Sequence, residues 1–206
     1  MPRERHPDRL GRDELEAYQR KALREWCQSD WLATHDPRAY QAVEAQDPDL
    51  VRIDLGGGVG DAEQEPGYVV VGDRIGGIDL TERTGEHRRP DIFWSLGSGR
   101  LPFEDQTVDA VHLPVRVLRH LPDPAYRNLP AELARTLVIG GTVDLADGDA
   151  PAGFRHALEE SGFALDEQQR WALVKQTTRL EDAAPLLIDE KAMGETLLPS
   201  LRVPHA

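Results

Sequence analysis

From Val51 onward the chain alternates short apolar runs with glycine, aspartate and proline: VRIDL (51–55), YVVVG (68–72), DIFWSL (91–96), VDAVHL (108–113) and TVDLAD (142–147). Runs of this length bounded by turn residues read as strands. Between the last two, DPAYRNLPAELARTLV sets Leu129, Leu133 and Leu137 on one face of a helix that ends at Gly140-Gly141. A helix over 151–161 follows, then GFALDEQQ and WALVKQTT, two strands that meet at a turn. Strands joined by helical crossovers predict an α/β fold: one Rossmann-like, doubly wound, mostly parallel sheet with an antiparallel strand near the C-terminus.

Ahead of the sheet, RDELEAYQRKALREWCQ places Leu15, Tyr18, Ala22 and Trp26 three or four residues apart, and Asp13 with Glu16 has the form of a capping box. This predicts an amphipathic helix. A shorter helix over 37–46 fits between Pro37 and Pro48, and the stretch from Leu180 onward, with Pro185, Pro199 and Pro204, has little pattern. The expected organisation is an N-terminal helical extension (1–49) suited to be a lid, an α/β domain (50–179) and a tail (180–206).

Charge narrows the partners. A formal net charge of −13 over 206 residues disfavours nucleic acid, which is normally met by concentrated Lys and Arg. No apolar stretch is long enough to cross a bilayer, and the start MPRERHPDRLGRDELE has no apolar h-region, so a cytoplasmic location is the default expectation. The single cysteine, Cys27, rules out an internal disulfide and a multi-cysteine zinc site, and no metal is expected. It reads as a small hydrophobe in a helix.

The candidate chemistry begins in VRIDLGGGVG. Asp54 closes the first strand, and Gly56, Gly58 and Gly60 follow at alternate positions. Glycines there let the chain turn sharply and bring backbone N–H groups close to a ligand, although such turns also serve packing alone. Nineteen positions after Asp54, Asp73 closes YVVVGD, where a doubly wound fold places the acid that accepts hydrogen bonds from ribose hydroxyls; as a packing feature it would be a turn residue before Gly76-Gly77. Only Asp61 to Gly67, with Pro66 among them, separate the glycine loop from the second strand. A dinucleotide fold needs a substantial helix at that point for the pyrophosphate. Its absence turns the reading away from NAD and toward a nucleoside with a neutral or cationic tail.

The ordered series IDLGGGVG, GYVVVGD, LPFEDQTVDAV, VLRHLPDP and ELARTLVIGG resembles class I S-adenosylmethionine-dependent methyltransferases, in particular a small bacterial and archaeal type with a shortened glycine loop, over roughly residues 50 to 175. The resemblance implies S-adenosylmethionine as cofactor and a small-molecule substrate. It implies that Asp54, Leu55, Gly56, Gly57, Gly58 and Gly60 contact the methionine moiety, that Asp73, with Arg74 beside it, binds the ribose, and that Ser95 and Leu96 flank the adenine. Three departures stand out. Ser95 replaces the family's frequent adenine-binding Asp, Arg119 stands where the family commonly has Glu before His120, and Gly57 replaces a frequent cysteine. Arg119 is therefore the candidate for an acidic substrate.

Methyl transfer from a sulfonium is an in-line displacement, so the protein mainly aligns the reactants. If the acceptor is a hydroxyl, a general base helps, and His112 at the end of the fourth strand and His120 just beyond it are the candidates; packing is the alternative for both. Trp94 and Trp171 would wall a pocket or pack in the core, and EHRRP (86–90) is an anion patch or a solvated loop. Two other readings stay open. One is a methyltransferase-like module without turnover that binds cofactor or a protein partner. The other is an NAD-dependent oxidoreductase, weakened by the missing helix and by the lack of a Tyr-x-x-x-Lys motif.

Overall fold

The computed structural model describes residues 9–28, 30–56, 65–72, 90–146, 148–168 and 170–174. Three helices come first: α1 (Arg12–Cys27), α2 (Asp30–His35) and α3 (Pro37–Glu44). Strands β1 (Arg52–Leu55), β2 (Val69–Gly72) and β3 (Ile92–Phe93) follow, then β4 (Val108–Pro114). The chain continues through α4 (Val115–Leu118), α5 (Asp123–Thr136), β5 (Leu137–Ala146), α6 (Ala152–Glu160), β6 (Phe163–Leu165) and β7 (Trp171–Leu173). The strands form a single sheet in the order β3-β2-β1-β4-β5-β7-β6. Every pair from β3 to β5 is parallel, and β7 runs antiparallel to both β5 and β6. This is the Rossmann-like sheet expected from the sequence, with the reversed strand near the C-terminus.

The three central strands each carry a polar residue between two aliphatic ones: Ile53-Asp54-Leu55, Val111-His112-Leu113 and Val143-Asp144-Leu145. Register aligns them, pairing Ile53 with Val111 and Val111 with Val143, and likewise Asp54 with His112 and His112 with Asp144. Because side chains alternate across a strand, one face of the sheet is aliphatic while the other bears the row Asp54, His112, Asp144. The aliphatic residues join Leu129 and Leu133 of α5 and Phe154 and Leu158 of α6 in one core cluster. Burying each such side chain contributes about 1.5 to 3 kcal/mol.

Helix α1 belongs to the same core through Leu15 and Ala22, while Leu23 and Trp26 form a second cluster with Leu32 and Val43. Cys27 packs partly buried against that cluster, and burial, with Glu44 nearby, pushes its thiol pKa up. One polar residue of α1, Gln19, is fully buried. Its amide donates to the Gly67 carbonyl at 2.7 Å and accepts the Arg52 N–H at 2.9 Å, tying β1 to the segment that leads into β2.

The structure corrects several local expectations. Helix α1 starts at Arg12, and its capping partners are the Gly11 N–H and the Glu14 carboxylate at 3.0 Å rather than Asp13 and Glu16. Leu10, paired with Phe103, fixes the chain just before that point, and Glu16 instead holds Arg12 at 2.9 Å. An additional helix, α2, precedes Pro37. Leu137 is fully buried, but in β5 and not on the helix. Helix α5 stops at Thr136, whose hydroxyl donates back to the Glu132 carbonyl at 2.9 Å, and the β-branched Val138 and Ile139 suit extended backbone. Gly140, at φ +84°, and Gly141 absorb the break in ladder register between Val108 and Ala110. The third strand is only Ile92–Phe93, because the chain enters a 3₁₀ turn at Leu96–Ser98 and the Trp94 indole N–H reaches the Arg100 carbonyl at 2.7 Å.

Replacing Gln19 with Leu should cost about 2 to 4 kcal/mol, since two backbone groups lose their buried partner. Urea unfolding measures this, and a loss below about 0.5 kcal/mol would show that the glutamine is dispensable.

Candidate functional site

Asp54 is fully buried at the carboxyl end of β1, where a carboxylate must be matched by hydrogen bonds. One of its oxygens, Oδ2, accepts the Glu65 N–H at 3.0 Å. The chain therefore leaves β1 at Gly56 and is back over the end of the same strand by Glu65. Gly56 has φ +80°, and its N–H donates to the Val71 carbonyl at 2.7 Å. A Cβ at this position would lie 2.8 Å from Cγ2 of Val117 in α4. Both the left-handed backbone and the close approach require glycine. Of the other predicted loop and ribose residues, Leu55 is buried in β1, while Gly57, Gly58, Gly60, Asp73 and Arg74 lie outside the described residues.

His112 sits beside Asp54 in the neighbouring strand and is 8 % exposed. Its Nδ1 lies 3.8 Å from an oxygen of Asp144. The Tyr68 ring meets it edge-on, with centroids 6.2 Å apart. The segment entering β2 completes the group, as the Tyr68 N–H donates to the Glu65 carbonyl at 3.2 Å. Burial raises the Glu65 carboxyl pKa; His112 pulls it back and Asp144 pushes it further up. Burial raises the Tyr68 phenol too, with Glu65 adding to the effect. Among the described residues no three His, Cys, Asp or Glu side chains form a metal-binding group.

The far wall comes from the segments after β3 and β4. Ser95 is exposed and precedes the 3₁₀ turn, Leu96 is buried, and Phe93 at the end of β3 is 58 % exposed. A Cβ at Gly97 would meet Ser95 Oγ and Pro122, and one at Gly99 would meet the backbone of Ala125, so the turn rests on the start of α5. The loop from Leu101 to Asp105 is fastened by a fork in α5. Glu132, 4 % exposed, accepts the Leu101 N–H at 2.8 Å and two bonds from Arg135, and Arg135 reaches the Phe103 carbonyl at 2.8 Å and Asp105 at 2.7 Å. Such charge-assisted, bidentate pairing holds a loop more firmly than neutral bonds do.

The structure thus gathers Asp54, Gly56 and His112. Arg119 and His120 are exposed on the turn after α4, where their N–H groups bond the Arg116 and Val117 carbonyls, so neither is a packing residue. Trp171 is buried and Trp94 packs against the core, which makes both structural. Of EHRRP, only Pro90 lies within the described residues, and it is buried. Glu65, Tyr68 and Asp144 were not singled out from sequence. The signal for Asp144 was present in the repeated aliphatic-polar-aliphatic triplets of three strands. Glu65 and Tyr68 had no such signal, because only the fold brings them over the row.

Gly56→Ala should destabilise the protein by at least about 1 to 2 kcal/mol from backbone strain alone, with the Val117 collision in addition. Val117→Ala relieves only the collision, so the double variant should be more stable than the sum of the single losses by about 0.5 kcal/mol or more. Denaturant unfolding of the four proteins measures the coupling, and strict additivity would contradict the packing described.

No protein-family profile matches the chain, and no curated protein matches it in sequence. Solved structures do resemble it in fold. A methyltransferase candidate from Bacillus halodurans C-125 is 20% identical, with 62% of this chain and 68% of that one covered and a TM-score of 0.44. A TehB-like SAM-dependent methyltransferase from Corynebacterium glutamicum is 16% identical over 78% of this chain and 99% of its own, with a TM-score of 0.43. An S-adenosylmethionine-dependent methyltransferase from Mesorhizobium loti is 19% identical over 67% of this chain and 65% of its own, at a TM-score of 0.33. These are likenesses at low identity and low TM-score, and the architecture of the chain rests on its own sheet, ordered β3-β2-β1-β4-β5-β7-β6.

Proposed function

We propose that the protein binds S-adenosylmethionine at the carboxyl ends of β1 to β4 and transfers its methyl group to a small molecule. The observation that carries this is the end of β1. A fully buried Asp54 is followed at once by Gly56, whose positive φ turns the chain and leaves no side chain over the strand end. Ligands of open α/β sheets bind at this edge. The residues present suit an adenosyl sulfonium: a carboxylate favours the positively charged methionine end, and the buried Leu96 with the exposed Phe93 offers apolar surface to adenine beside the Ser95 hydroxyl. Asp73 would take the ribose.

When bound, the cofactor supplies a methyl group already activated by the sulfonium. The protein's part is to align the acceptor with that methyl and to keep the site electrostatically complementary. His112 is nearly closed off beneath the Glu65–Tyr68 segment, which suits a role in holding Asp54. The exposed His120 is better placed to accept a proton from a hydroxyl acceptor, and the neighbouring Arg119 to meet an acidic group on it. The same exposure, with Ser95 in place of a carboxylate, also supports a second reading in which the module binds cofactor or a protein partner without turnover.

Calorimetric titration with S-adenosylmethionine, S-adenosylhomocysteine and NAD should give binding on the order of micromolar for the first two and none for NAD. Asp54→Asn keeps an acceptor for the Glu65 N–H but removes the charge, and it should weaken binding about tenfold or more. Heat from NAD alone, or unchanged affinity in the variant, would overturn the assignment.

A further inference from the structure

We propose, resting on the S-adenosylmethionine reading of the site, that Gln46 is a positioning residue for the Asp54 carboxylate. Its side-chain amide fixes the direction of the Pro66–Gly67 peptide, and the turn held in this way carries the N–H group that orients Asp54. Cofactor affinity then depends on a residue of the N-terminal extension, between α3 and β1.

Residues 65–68 form a tight turn. The Tyr68 N–H donates to the Glu65 carbonyl at 3.2 Å, Pro66 stands second, and Gly67 stands third at φ +85°. Proline followed by a residue at positive φ is the pattern of a type II turn. A type I turn differs mainly in its central peptide, which is turned over, and glycine accepts either form. The Pro66 carbonyl is therefore the group whose direction distinguishes the two. Gln46 Nε2 donates to that carbonyl at 3.3 Å. The amide lies flat against the glycine, since a Cβ built on Gly67 would fall 2.5 Å from Nε2 and 2.6 Å from Oε1 of Gln46. The next carbonyl, that of Gly67, is held from α1 by Gln19 at 2.7 Å.

At its first residue the same turn presents the Glu65 N–H to Asp54 Oδ2 at 3.0 Å. Gln46 is itself anchored on both sides. Its own N–H donates to the Val43 carbonyl at 3.1 Å in the last turn of α3, and the carbonyl of the next residue, Asp47, accepts Nη1 of Arg52 from β1 at 2.9 Å. Val43 packs in one cluster with Leu23 and Trp26 of α1. The N-terminal helices thus place the amide, the amide sets the turn, and the turn sets Asp54.

Packing alone does not call for an amide here. Gln46 Oε1 is buried and has no hydrogen-bond partner among the described residues. An acceptor left in that state costs stability, and a methionine, of nearly the same shape, would avoid the cost. Pro66 is half-buried, so its carbonyl can turn to water once the donor is gone. For the stability of the fold, then, an apolar side chain would serve as well as glutamine. What the amide alone supplies is the donor that selects the direction of the Pro66 carbonyl.

Gln46→Met removes the donor and the orphaned acceptor together. The test is calorimetric titration of the full chain with S-adenosylhomocysteine at one pH, for wild type, Gln46→Met, Asp54→Asn and the double variant. Urea unfolding of each accompanies it, with hydrogen exchange of the Glu65 and Gly56 amides in unliganded wild type and Gln46→Met. Gln46→Met should bind about fivefold more weakly, the worth of one modest hydrogen bond, while its unfolding midpoint stays at or above that of the wild type. Its Glu65 amide should exchange about fivefold faster and its Gly56 amide at an unchanged rate, the mark of a local release. In the Asp54→Asn background the same substitution should change affinity by less than about twofold, because the charge that the turn orients is gone. Unchanged affinity in Gln46→Met, a Glu65 amide that exchanges no faster, a fall in stability that matches the fall in affinity, or equal losses in both backgrounds would each overturn the proposal while leaving the cofactor reading intact. Absence of binding by the wild type would overturn the cofactor reading and the proposal with it.

Discussion

A buried carboxylate at the end of the first strand constrains the rest of this structure. Asp54 occupies a position that a parallel sheet covered on both faces would normally give to an aliphatic residue. Keeping it there requires hydrogen-bond donors and polar neighbours. The chain supplies them by making the crossover from β1 to β2 short, so that Glu65 returns its N–H to Asp54, and by carrying the polarity across the sheet as His112 and Asp144. The aliphatic residues on either side of the row keep the opposite face apolar, and the sheet packs with α5 and α6 through that face without interruption.

Two further fastenings keep the surroundings rigid. Gln19 joins α1 to both the start of β1 and the segment before β2. On the other side the Glu132–Arg135 fork holds the Leu101–Asp105 loop on α5, while Leu10 pairs with Phe103 in that same loop. Both are buried polar contacts whose donors and acceptors are matched, the condition under which such contacts specify one arrangement. Helix α4 closes the remaining gap by bringing Val117 against Gly56.

Much of the fold was legible in the sequence, because strand length, glycine punctuation and the leucine spacing of α5 are local signals. The errors fall where a distant contact decides. Leu137 has the spacing of a helical residue, yet pairing with Val108 draws it into β5. The DIFWSL run has strand composition, yet the Trp94 bond to Arg100 and the 3₁₀ turn end it after Phe93. At the site, Asp54, Gly56 and His112 were visible as residue types at strand ends. Glu65 and Tyr68 were not, since their importance comes from lying over the row and not from any pattern of their own. Arg119 was read from the resemblance and His120 from its place just beyond the fourth strand, and the structure adds only that they are exposed beyond α4.

The most direct test of this account is a crystal structure of the protein with S-adenosylhomocysteine. The account predicts the ligand at the carboxyl ends of β1 to β4, with its methionine end beside Gly56 and Asp54, its adenine near Ser95 and Leu96, and the Glu65 N–H still on the Asp54 carboxylate. A ligand bound elsewhere, or an Asp54 carboxylate sealed beneath the Glu65 segment with the ligand remote from it, would contradict it.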